Sequence, residues 1–479
     1  MLWLHQTSPG TIELLGRVRP SGSATWRKIQ VTEHDAIQDL AVAPTKNGDF
    51  WLTWVRYAPS NSVPQVYAMR LVTGKQSWTR RTKLFNGPSY GHQSPRIEVS
   101  GDGTLFVAAT ASPKESTNPP TYRARVGVKP PGKSWRTTFL SPVDEHAGVR
   151  DLDVSPQGHA LVTFVQGYEL AQMHPQAAVR PPGASSTWEV DALSTPGDAQ
   201  SAHGSIGPDG TAAVAWNAPS TGSSTVRLAT RKIGAAGEWV VTDAVTGPGT
   251  HIAQPPVVGL FGSTTAFWWD GRIHAREFAE GVWTAPQAVS PPGVRSDVRD
   301  AELRADGLVV LLYQQFDASL DNLGLRWRLI DHGLPFEELV LTTTADHEAN
   351  QPRLGVDAAG HSNVTWTRGD FTLSDFASMG NPPSAPIAMD KPYFGAPLST
   401  ARATGSAAVG RWLTCASGYW VERSSLSHRW FRGSDPVRGA TGKRYRLVPA
   451  DLGRKVSCRV TAVSATGETT LTSHQRLVG

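Results

Sequence analysis

The sequence predicts an all-β protein, a seven-bladed β-propeller closed by strands from both of its ends and followed by a smaller β-sandwich. Three observations lead to this prediction. Gly (46) and Pro (35) are frequent, as in chains of short strands and many turns. A strand pattern recurs seven times at intervals of roughly 45–57 residues, a period typical of propellers and solenoids. The two cysteines both fall near the end of the chain, where the repeat has stopped.

The first marker of the repeat is an apolar inner strand, a turn with glycine and a second apolar strand. The inner strands are counted from Asp39, Arg96, Asp151, His203, Pro255, Asp300 and Arg353, and their turn glycines are Gly48, Gly103, Gly158, Gly210, Gly262, Gly307 and Gly360. Each unit therefore predicts a small antiparallel sheet. Such a sheet has exposed edges and an unburied face until it packs against neighbours.

The second marker is an aromatic residue that opens a late strand of each unit. Its copies are Trp26, Trp78, Trp135, Trp188, Trp239, Trp283 and Phe336. Because their register repeats with the fold, we interpret them as packing residues between blades and not as ligand platforms.

The two markers are out of phase at the chain ends. We therefore expect residues 1–33 to supply the outer strands of a blade whose inner strands are residues 351–368. Residues 1–6 and 362–366 both read as second strands, and the sequence leaves open which of them completes that blade. An open solenoid is the alternative, but it would need polar end caps, and we find none.

The repeat ends near Asp370, which predicts a propeller over residues 1–376, a Pro/Ser/Gly linker over 377–386 and a second domain over 387–479. This domain carries Cys415, Trp430 and Cys458 in the order typical of a sandwich whose cysteines face each other. We expect a Cys415–Cys458 disulfide, with two buried free thiols as the alternative. A disulfide implies an oxidising compartment and so an extracellular or cell-surface protein. The given chain opens with no signal peptide, and its start could be truncated.

Two parts of this chain each resemble a known family. The C-terminal part resembles the bacterial immunoglobulin-like (Ig-like) domains of actinobacterial exported proteins, through Gly405, Val409-Gly-Arg-Trp-Leu-Thr-Cys415, Gly418-Tyr-Trp420, Arg429-Trp430-Phe431, Gly439, Tyr445, Asp451-Leu-Gly453, Val456-Ser-Cys458 and Gly467. The first 370 residues resemble sialidase-like (BNR-type) propellers in blade length and in the Trp-led outer strand. The Asp-box of sialidases, Ser-x-Asp-x-Gly-x-x-Trp, lacks its Asp here, as in Gly-Lys-Ser-Trp135. The resemblance therefore implies the fold and not the reaction.

The starts of the inner strands and the loops after the second strands should form one mouth of the ring. The ligand-binding candidates there are Asp39, Tyr57, Arg96, Arg150, Asp151, His203, Trp269, Asp270, Arg299, Asp300 and Arg353. Arginines could clamp a carboxylate or sulfate, aspartates could orient hydroxyls, and aromatic rings suit sugars. The alternatives are a salt-bridge ring that fills a narrow channel and ordinary turn chemistry.

Five histidines precede inner strands: His34, His92, His146, His251 and His347. Seven-fold spacing places them too far apart to share one metal ion, so we expect them to cap blade junctions.

We predict no catalytic residue, metal or cofactor from sequence. The net charge of +5 is spread along the chain, which argues against nucleic acid, and no apolar run is long enough to insert into a membrane.

The sequence favours a non-catalytic exported binding protein whose propeller mouth recognises a glycan or protein, with the Ig-like domain as spacer or docking module. One alternative is a sialidase-like glycoside hydrolase or polysaccharide-processing enzyme that uses the arginines and aspartates. The other is a structural component of a phage or secreted particle, within a larger assembly.

Overall fold

The computed structural model describes most of the chain, and nearly all of it is β-structure. The described ranges are 2–8, 11–18, 27–30, 36–46, 48–57, 65–72, 77–86, 95–111, 121–169, 171–183, 186–199, 201–235, 237–304, 306–317, 322–342, 349–356, 362–368, 373–379, 402–416, 425–464, 467–473 and 475–479. The chain divides into two compact units, which we describe separately. Unit 1 is Met1–Asp270 with Arg276–Ala285, and unit 2 is Gly271–Ala275 with Pro286–Gly479.

Unit 1 begins with three antiparallel sheets. Sheet I contains β1 (Leu2–Ser8), β2 (Thr11–Val18) and β3 (Arg27–Gln30). Sheet II contains β4 (Ala36–Pro44), β5 (Phe50–Tyr57), β6 (Gln65–Val72), β7 (Ser77–Trp78) and β8 (Thr82–Asn86). Sheet III contains β9 (Arg96–Val99), β10 (Leu105–Ala111), β11 (Arg123–Lys129) and β12 (Arg136–Phe139).

Three further sheets follow. Sheet IV contains β13 (Ala147–Val154), β14 (Ala160–Gln166), β15 (His174–Arg180) and β16 (Glu189–Ala192). Sheet V contains β17 (Ala202–Ile206), β18 (Thr211–Ser220), β19 (Ser223–Lys232) and β20 (Val240–Gly247). Sheet VI contains β21 (His251–Ile252), β22 (Val257–Val258), β23 (Thr264–Trp269), β24 (Ile273–Ala279), β25 (Val282–Trp283) and β26 (Gln287–Ala288).

Unit 2 continues with two sheets of the same kind and then two smaller ones. Sheet VII contains β27 (Arg295–Leu303), β28 (Val309–Phe316), β29 (Asn322–Asp331) and β30 (Leu334–Val340). Sheet VIII contains β31 (Ala349–Val356), β32 (Ser362–Arg368) and β33 (Leu373–Met379). Sheet IX pairs β34 (Arg402–Thr404), β35 (Trp412–Ala416) and β38 (Arg444–Arg446). Sheet X pairs β36 (Ser425–Arg432), β37 (Asp435–Pro436), β39 (Lys455–Ser464), β40 (Gly467–Thr472) and β41 (Arg476–Leu477), and a 3₁₀ turn covers Pro449–Asp451.

Consecutive sheets of unit 1 pack face to face, as the repeat predicts. Side chains of sheets III and IV, including Phe106 and Phe164, share one apolar cluster. Side chains of sheets IV and V, including Val179 and Trp216, share the next. Every residue of the second strands β10 and β14 is buried, because both faces of each strand meet a neighbouring sheet. The order and packing of these sheets are propeller-like.

The turn glycines of the first marker adopt the backbone conformation that the pattern requires. Gly103 has φ +85° and Gly210 has φ +84°, the left-handed region in which glycine carries no steric penalty. Gly360 lies outside the described residues.

Four of the five described side chains of the second marker pack between sheets, as predicted, whereas the described neighbours of Trp78 lie within sheet II. The ring of Trp135 lies 6.2 Å from that of Trp51 in sheet II. Trp188 lies 6.5 Å from Phe106 in sheet III. Trp239 reaches the preceding sheet through a hydrogen bond from its Nε1 to Asp191 Oδ2 (3.0 Å). Trp26 and the side chain of Phe336 lie outside the described residues.

The ends of the predicted propeller differ from the expected arrangement. In the described residues β1, β2 and β3 pair among themselves, and β32 pairs on one side with β31 and on the other with β33. The expected sheet shared by residues 1–33 and 351–368 is therefore not observed there. Residues 373–379 were not predicted as a strand because they carry neither marker. β33 also takes in the start of the expected linker 377–386, whose remainder lies outside the described residues.

Sheets IX and X enclose a separate apolar cluster that includes Leu413, Trp430 and Val460. The predicted disulfide joins Cys415 of sheet IX to Cys458 of sheet X. Both cysteines and Trp430 are fully buried. The bridge therefore links the two small sheets through their shared core.

Candidate functional site

The inner strands of sheets IV and VII carry a β-bulge at the positions that were predicted to face the mouth. In β13 the register shifts between Val149 and Asp151, and in β27 it shifts between Val298 and Asp300. The extra residues are Arg150 and Arg299. A bulge redirects the side chains around it, so these arginines leave the regular alternation of the strand.

In unit 1, Asp151 is the centre of a polar cluster that joins three inner strands. Its Oδ2 lies 2.9 Å from His203 Nδ1 and accepts a hydrogen bond from Gly204 N (3.4 Å). Its Oδ1 lies 3.8 Å from Arg96 Nη2. Arg96 Nε also donates to the carbonyl oxygen of Arg150 (3.2 Å). We call Arg96, Arg150, Asp151 and His203 the Asp151 cluster.

His203 is the one imidazole of this cluster, and its side chain is about 31% exposed. A carboxylate on Nδ1 favours the tautomer that carries its proton there and fixes the orientation of the ring. The second ring nitrogen, Nε2, is then an acceptor. This pairing makes the imidazole a competent proton acceptor for a ligand.

Arg150 contributes positive charge from a partly buried position. Burial lowers the pKa of its guanidinium, while the charge of Asp151 opposes that shift. Its Nε is buried and makes no hydrogen bond within the described part of the chain. An arginine remains protonated at physiological pH in such surroundings, so the cluster holds two guanidinium groups beside one carboxylate.

Asp153, two residues along β13, was missed by the sequence reasoning. Its Oδ2 accepts a hydrogen bond from Ile206 N (2.8 Å) and its Oδ1 from Val154 N (2.7 Å). Burial raises its pKa to about 6, the two backbone donors oppose this, and the charge of Asp151 adds to it. The available signal was the Asp-Leu-Asp alternation, which places both carboxylates on one face of the strand.

An aromatic group lies at the junction of sheets III and IV. The ring of His146 is 5.2 Å from that of Tyr122 and 5.4 Å from that of Tyr168, both edge-on. Burial lowers the pKa of His146, which favours the neutral ring. His146 thus has the junction position expected for this set of histidines.

His251 packs within sheet VI, with its ring 4.9 Å from Trp269. His34, His92 and His347 lie outside the described residues.

Unit 2 holds the remaining arginine candidates. Arg299 Nε donates to Gln314 Oε1 (3.0 Å), and its Nη2 lies 3.8 Å from Asp297. Burial lowers the pKa of Arg299, the charge of Asp297 opposes this, and the nearby charges of Arg295 and Arg353 add to it. Asp300 Oδ2 accepts a hydrogen bond from Leu354 N (3.1 Å). This bond repeats the one between Asp151 and Gly204.

The structure therefore assembles only part of the predicted site. Arg96, Arg150, Asp151 and His203 meet in unit 1, and Arg299, Asp300 and Arg353 are neighbours in unit 2. Trp269 packs on His251, and Asp270 is an exposed residue directly after β23. For Asp39 and Tyr57 the structure describes only the strand positions, in β4 and β5.

The described residues contain no group of three or more His, Cys, Asp or Glu that could hold a metal ion. They also contain no helix with the length and apolar character needed to span a membrane.

Comparisons with known proteins give distant structural likenesses. No family model matches the chain, and no curated protein matches it. A protein of unknown function from Dyadobacter fermentans is 15% identical, over 70% of this chain and 90% of that one, with a TM-score of 0.38. The α-L-arabinanase of Penicillium chrysogenum is 13% identical over 63% and 94%, with a TM-score of 0.36. The polysaccharide lyase Uly1 is 11% identical over 69% and 87%, with a TM-score of 0.44. At these values the likenesses carry no argument about activity.

Proposed function

We propose that this protein is a polysaccharide-processing enzyme that acts on an acidic polysaccharide at the Asp151 cluster. The observation that carries the proposal is the contact of His203 Nδ1 with Asp151 Oδ2 at 2.9 Å, beside the guanidinium of Arg96. This is the enzymatic alternative of the sequence analysis, and we prefer it to the non-catalytic reading. The Asp151 carboxylate orients the partly exposed imidazole of His203 and so prepares it for proton transfer. A protein that only binds a glycan does not need such an arrangement.

The reaction that suits these groups is β-elimination at a uronic acid. Arg96 binds the carboxylate of the sugar and stabilises the negative charge that develops when the adjacent C5 proton leaves. That proton passes to His203 Nε2. The electron pair of the C–H bond forms the C4–C5 double bond, the C4–O bond breaks, and the leaving oxygen takes a proton from water.

Hydrolysis of a neutral glycoside suits the cluster less well. It requires two carboxyl groups that flank the scissile bond. One donates a proton to the leaving oxygen, and the other takes a proton from water or attacks the sugar as a nucleophile. Asp151 already accepts hydrogen bonds from His203 and Gly204. Both oxygens of Asp153 accept backbone N–H groups.

A non-catalytic glycan-binding protein is the second candidate, and one observation favours it. Asp300 Oδ2 accepts Leu354 N in unit 2 as Asp151 Oδ2 accepts Gly204 N in unit 1. A bond repeated between inner strands is what an aspartate with a purely structural role would make. In that case only the arginines of the cluster would contact the glycan.

We further propose that the packed sheets close into a propeller ring and that sheets IX and X form an Ig-like domain. The repeated inter-sheet packing supports the first proposal, and the buried Cys415–Cys458 bridge beside Trp430 supports the second. The described part of residues 1–379 holds eight sheets, so the count of seven blades stays a prediction. The disulfide supports an extracellular location.

The activity test compares His203→Gln with the unaltered protein on a panel of uronate polysaccharides, with the ultraviolet absorbance of the new double bond as the readout. We expect the variant to lose about 10²–10⁴-fold in turnover, the range for removal of a general base. His174→Gln, which changes a partly buried histidine of sheet IV outside the Asp151 cluster, is the matched control and should keep full activity.

Full turnover by His203→Gln would contradict the proposed role of this residue. If the unaltered protein degrades none of the panel but binds it, and Arg96→Gln weakens that binding, the non-catalytic candidate is correct.

A further inference from the structure

Sheets II and III enclose a groove that shares no residue with the Asp151 cluster. Its volume is about 550 Å³. The residues that line it are Trp51, Thr82, Lys83, Leu84, Lys129, Lys133, Ser134, Trp135 and Thr137. They come from strands β5, β8, β11 and β12 and from the turn between the last two. Both sheets belong to unit 1, so the groove lies within one compact part of the molecule.

The groove concentrates positive charge in a protein that uses lysine sparingly. The chain has 11 lysines, and Lys83, Lys129 and Lys133 lie here. No acidic residue and no arginine is among the lining residues. Lys129 Nζ donates to the carbonyl oxygen of Lys133 (2.6 Å), which holds the turn, and the side chains of Lys83 and Lys133 are exposed. The groove therefore has two ammonium groups exposed to solvent and a third tied to its wall.

Two indole rings and three hydroxyl groups complete the lining. Trp51 and Trp135 meet edge to face, with an interplanar angle of 87°. Trp135 also lies against the backbone of Gly127, where an added Cβ would come within 3.4 Å of the ring. The face of Trp135 that lies on Gly127 cannot stack on a ligand, whereas the edge of an aromatic ring is its electropositive part. Thr82, Ser134 and Thr137 carry hydroxyl donors.

We infer that this groove is a binding site for an acidic polysaccharide, a sulfated or carboxylated chain of sugars. Lysine ammonium groups act as point charges for sulfate or carboxylate oxygens, and the hydroxyl groups donate to those oxygens or to sugar hydroxyls. Single-stranded nucleic acid fits less well, because its bases stack on open aromatic faces and one face of Trp135 is covered. The inference stands without the proposed enzymatic activity, because the groove and the Asp151 cluster have no residue in common.

The test measures the binding of fluorescent dextran sulfate and polygalacturonate at several salt concentrations. All proteins carry Arg96→Gln, so that binding at the Asp151 cluster contributes little. Adding Lys83→Gln with Lys133→Gln should weaken binding about tenfold at roughly 0.1 M salt and flatten its salt dependence. Both lysines are exposed, so these changes should leave the fold intact, which a thermal melt checks.

The matched control is Lys443→Gln with Lys455→Gln, which removes the same charge from two exposed lysines of unit 2. It should bind as the parent does. Comparing the two polymers shows whether sulfate or carboxylate is preferred, and neutral dextran should not bind. The inference is overturned if neither acidic polymer binds, if the control loses as much affinity, or if a single-stranded oligonucleotide binds more tightly through the same two lysines.

The same binding assay, together with the turnover assay, distinguishes the groove proposal from the enzymatic proposal. His203→Gln should leave groove binding unchanged. If His203→Gln loses turnover but the lysine variants bind as their parent does, the enzymatic proposal is supported and the groove is not a binding site. If the lysine variants lose binding but His203→Gln keeps full turnover, the groove is supported and the proposed role of His203 is wrong.

Discussion

Asp151 shows at the level of one residue how a structural contact and a chemical one can coincide. The same carboxylate accepts a backbone N–H from the next inner strand and contacts His203 and Arg96. The first contact fixes the carboxylate in space. The fixed carboxylate can then fix the imidazole, which is the condition for its use as a base.

Asp153 should make the stability of unit 1 depend on pH. Its pKa is raised to about 6 from an ordinary value of 3.8, so the folded state holds a proton that the unfolded state releases. Stability from this group is therefore full below about pH 4 and falls as the pH rises through 6. The loss by pH 7 should be on the order of 3 kcal/mol.

Asp153→Asn removes this titration while it keeps the side-chain shape. Chemical denaturation at pH 4 and pH 7 should show the variant gaining stability relative to the unaltered protein at the higher pH. Asp144→Asn, at an exposed site in the same unit, should show no such change. An equal difference at both pH values would mean that Asp153 does not carry the shifted pKa.

Asp153 also shows which property of a site residue the sequence does not display. The candidates Arg96, Asp151 and His203 were found because they occupy the same position in successive repeats. Asp153 was counted as part of a strand pattern, and nothing in the sequence indicates that its partly buried carboxylate binds backbone N–H groups of its own strand and the next.

At the level of elements, the late tryptophans act as wedges between sheets. Trp188 of sheet IV packs against the apolar cluster that includes Phe106 of sheet III, and Trp283 packs against Phe278 in the cluster between sheets V and VI. The repeated contact explains why an aromatic residue recurs at this position. A smaller side chain would leave a void between two sheets.

Trp188→Ala should lower the free energy of unfolding by about 3 kcal/mol, because it removes a large side chain and leaves a cavity. Chemical denaturation followed by fluorescence would measure the loss. Trp412→Ala is the matched control, since Trp412 in sheet IX is 49% exposed. It should cost less than about 1 kcal/mol. Equal costs for the two variants would contradict the wedge role.

The elements at the chain ends were predicted less well than those in the middle. The repeat predicted strands with their turn glycines from sheet II to sheet VII, because each of these units carries both markers. β33 carries neither, so the pattern stopped near Asp370 although the sheet continues to Met379. A strand is defined by its partner, and the partner is not visible in the local sequence.

At the level of the whole molecule, the disulfide should stabilise sheets IX and X. Cys415 and Cys458 are 43 residues apart, so their bridge should contribute about 3–4 kcal/mol by restricting the unfolded chain. In Cys415→Ala with Cys458→Ala, hydrogen exchange should accelerate at the Trp430 amide, which donates to Ala440 O. Amides of sheet IV serve as the internal control and should exchange as before.

Unchanged exchange at Trp430 in the double variant would mean that the apolar cluster alone holds the two sheets together.

The sequence by itself determined the all-β class, the repeat, the turn glycines, the aromatic wedges and the disulfide. All of these depend on local spacing, on period or on a single pair of residues, which a chain displays directly. The tertiary structure decided the rest. Asp151 meets His203 and Arg96 only because three sheets pack side by side, and the lysine groove exists only because sheets II and III do. Contacts between distant segments depend on how sheets pair and pack, and one linear pattern is compatible with several such arrangements.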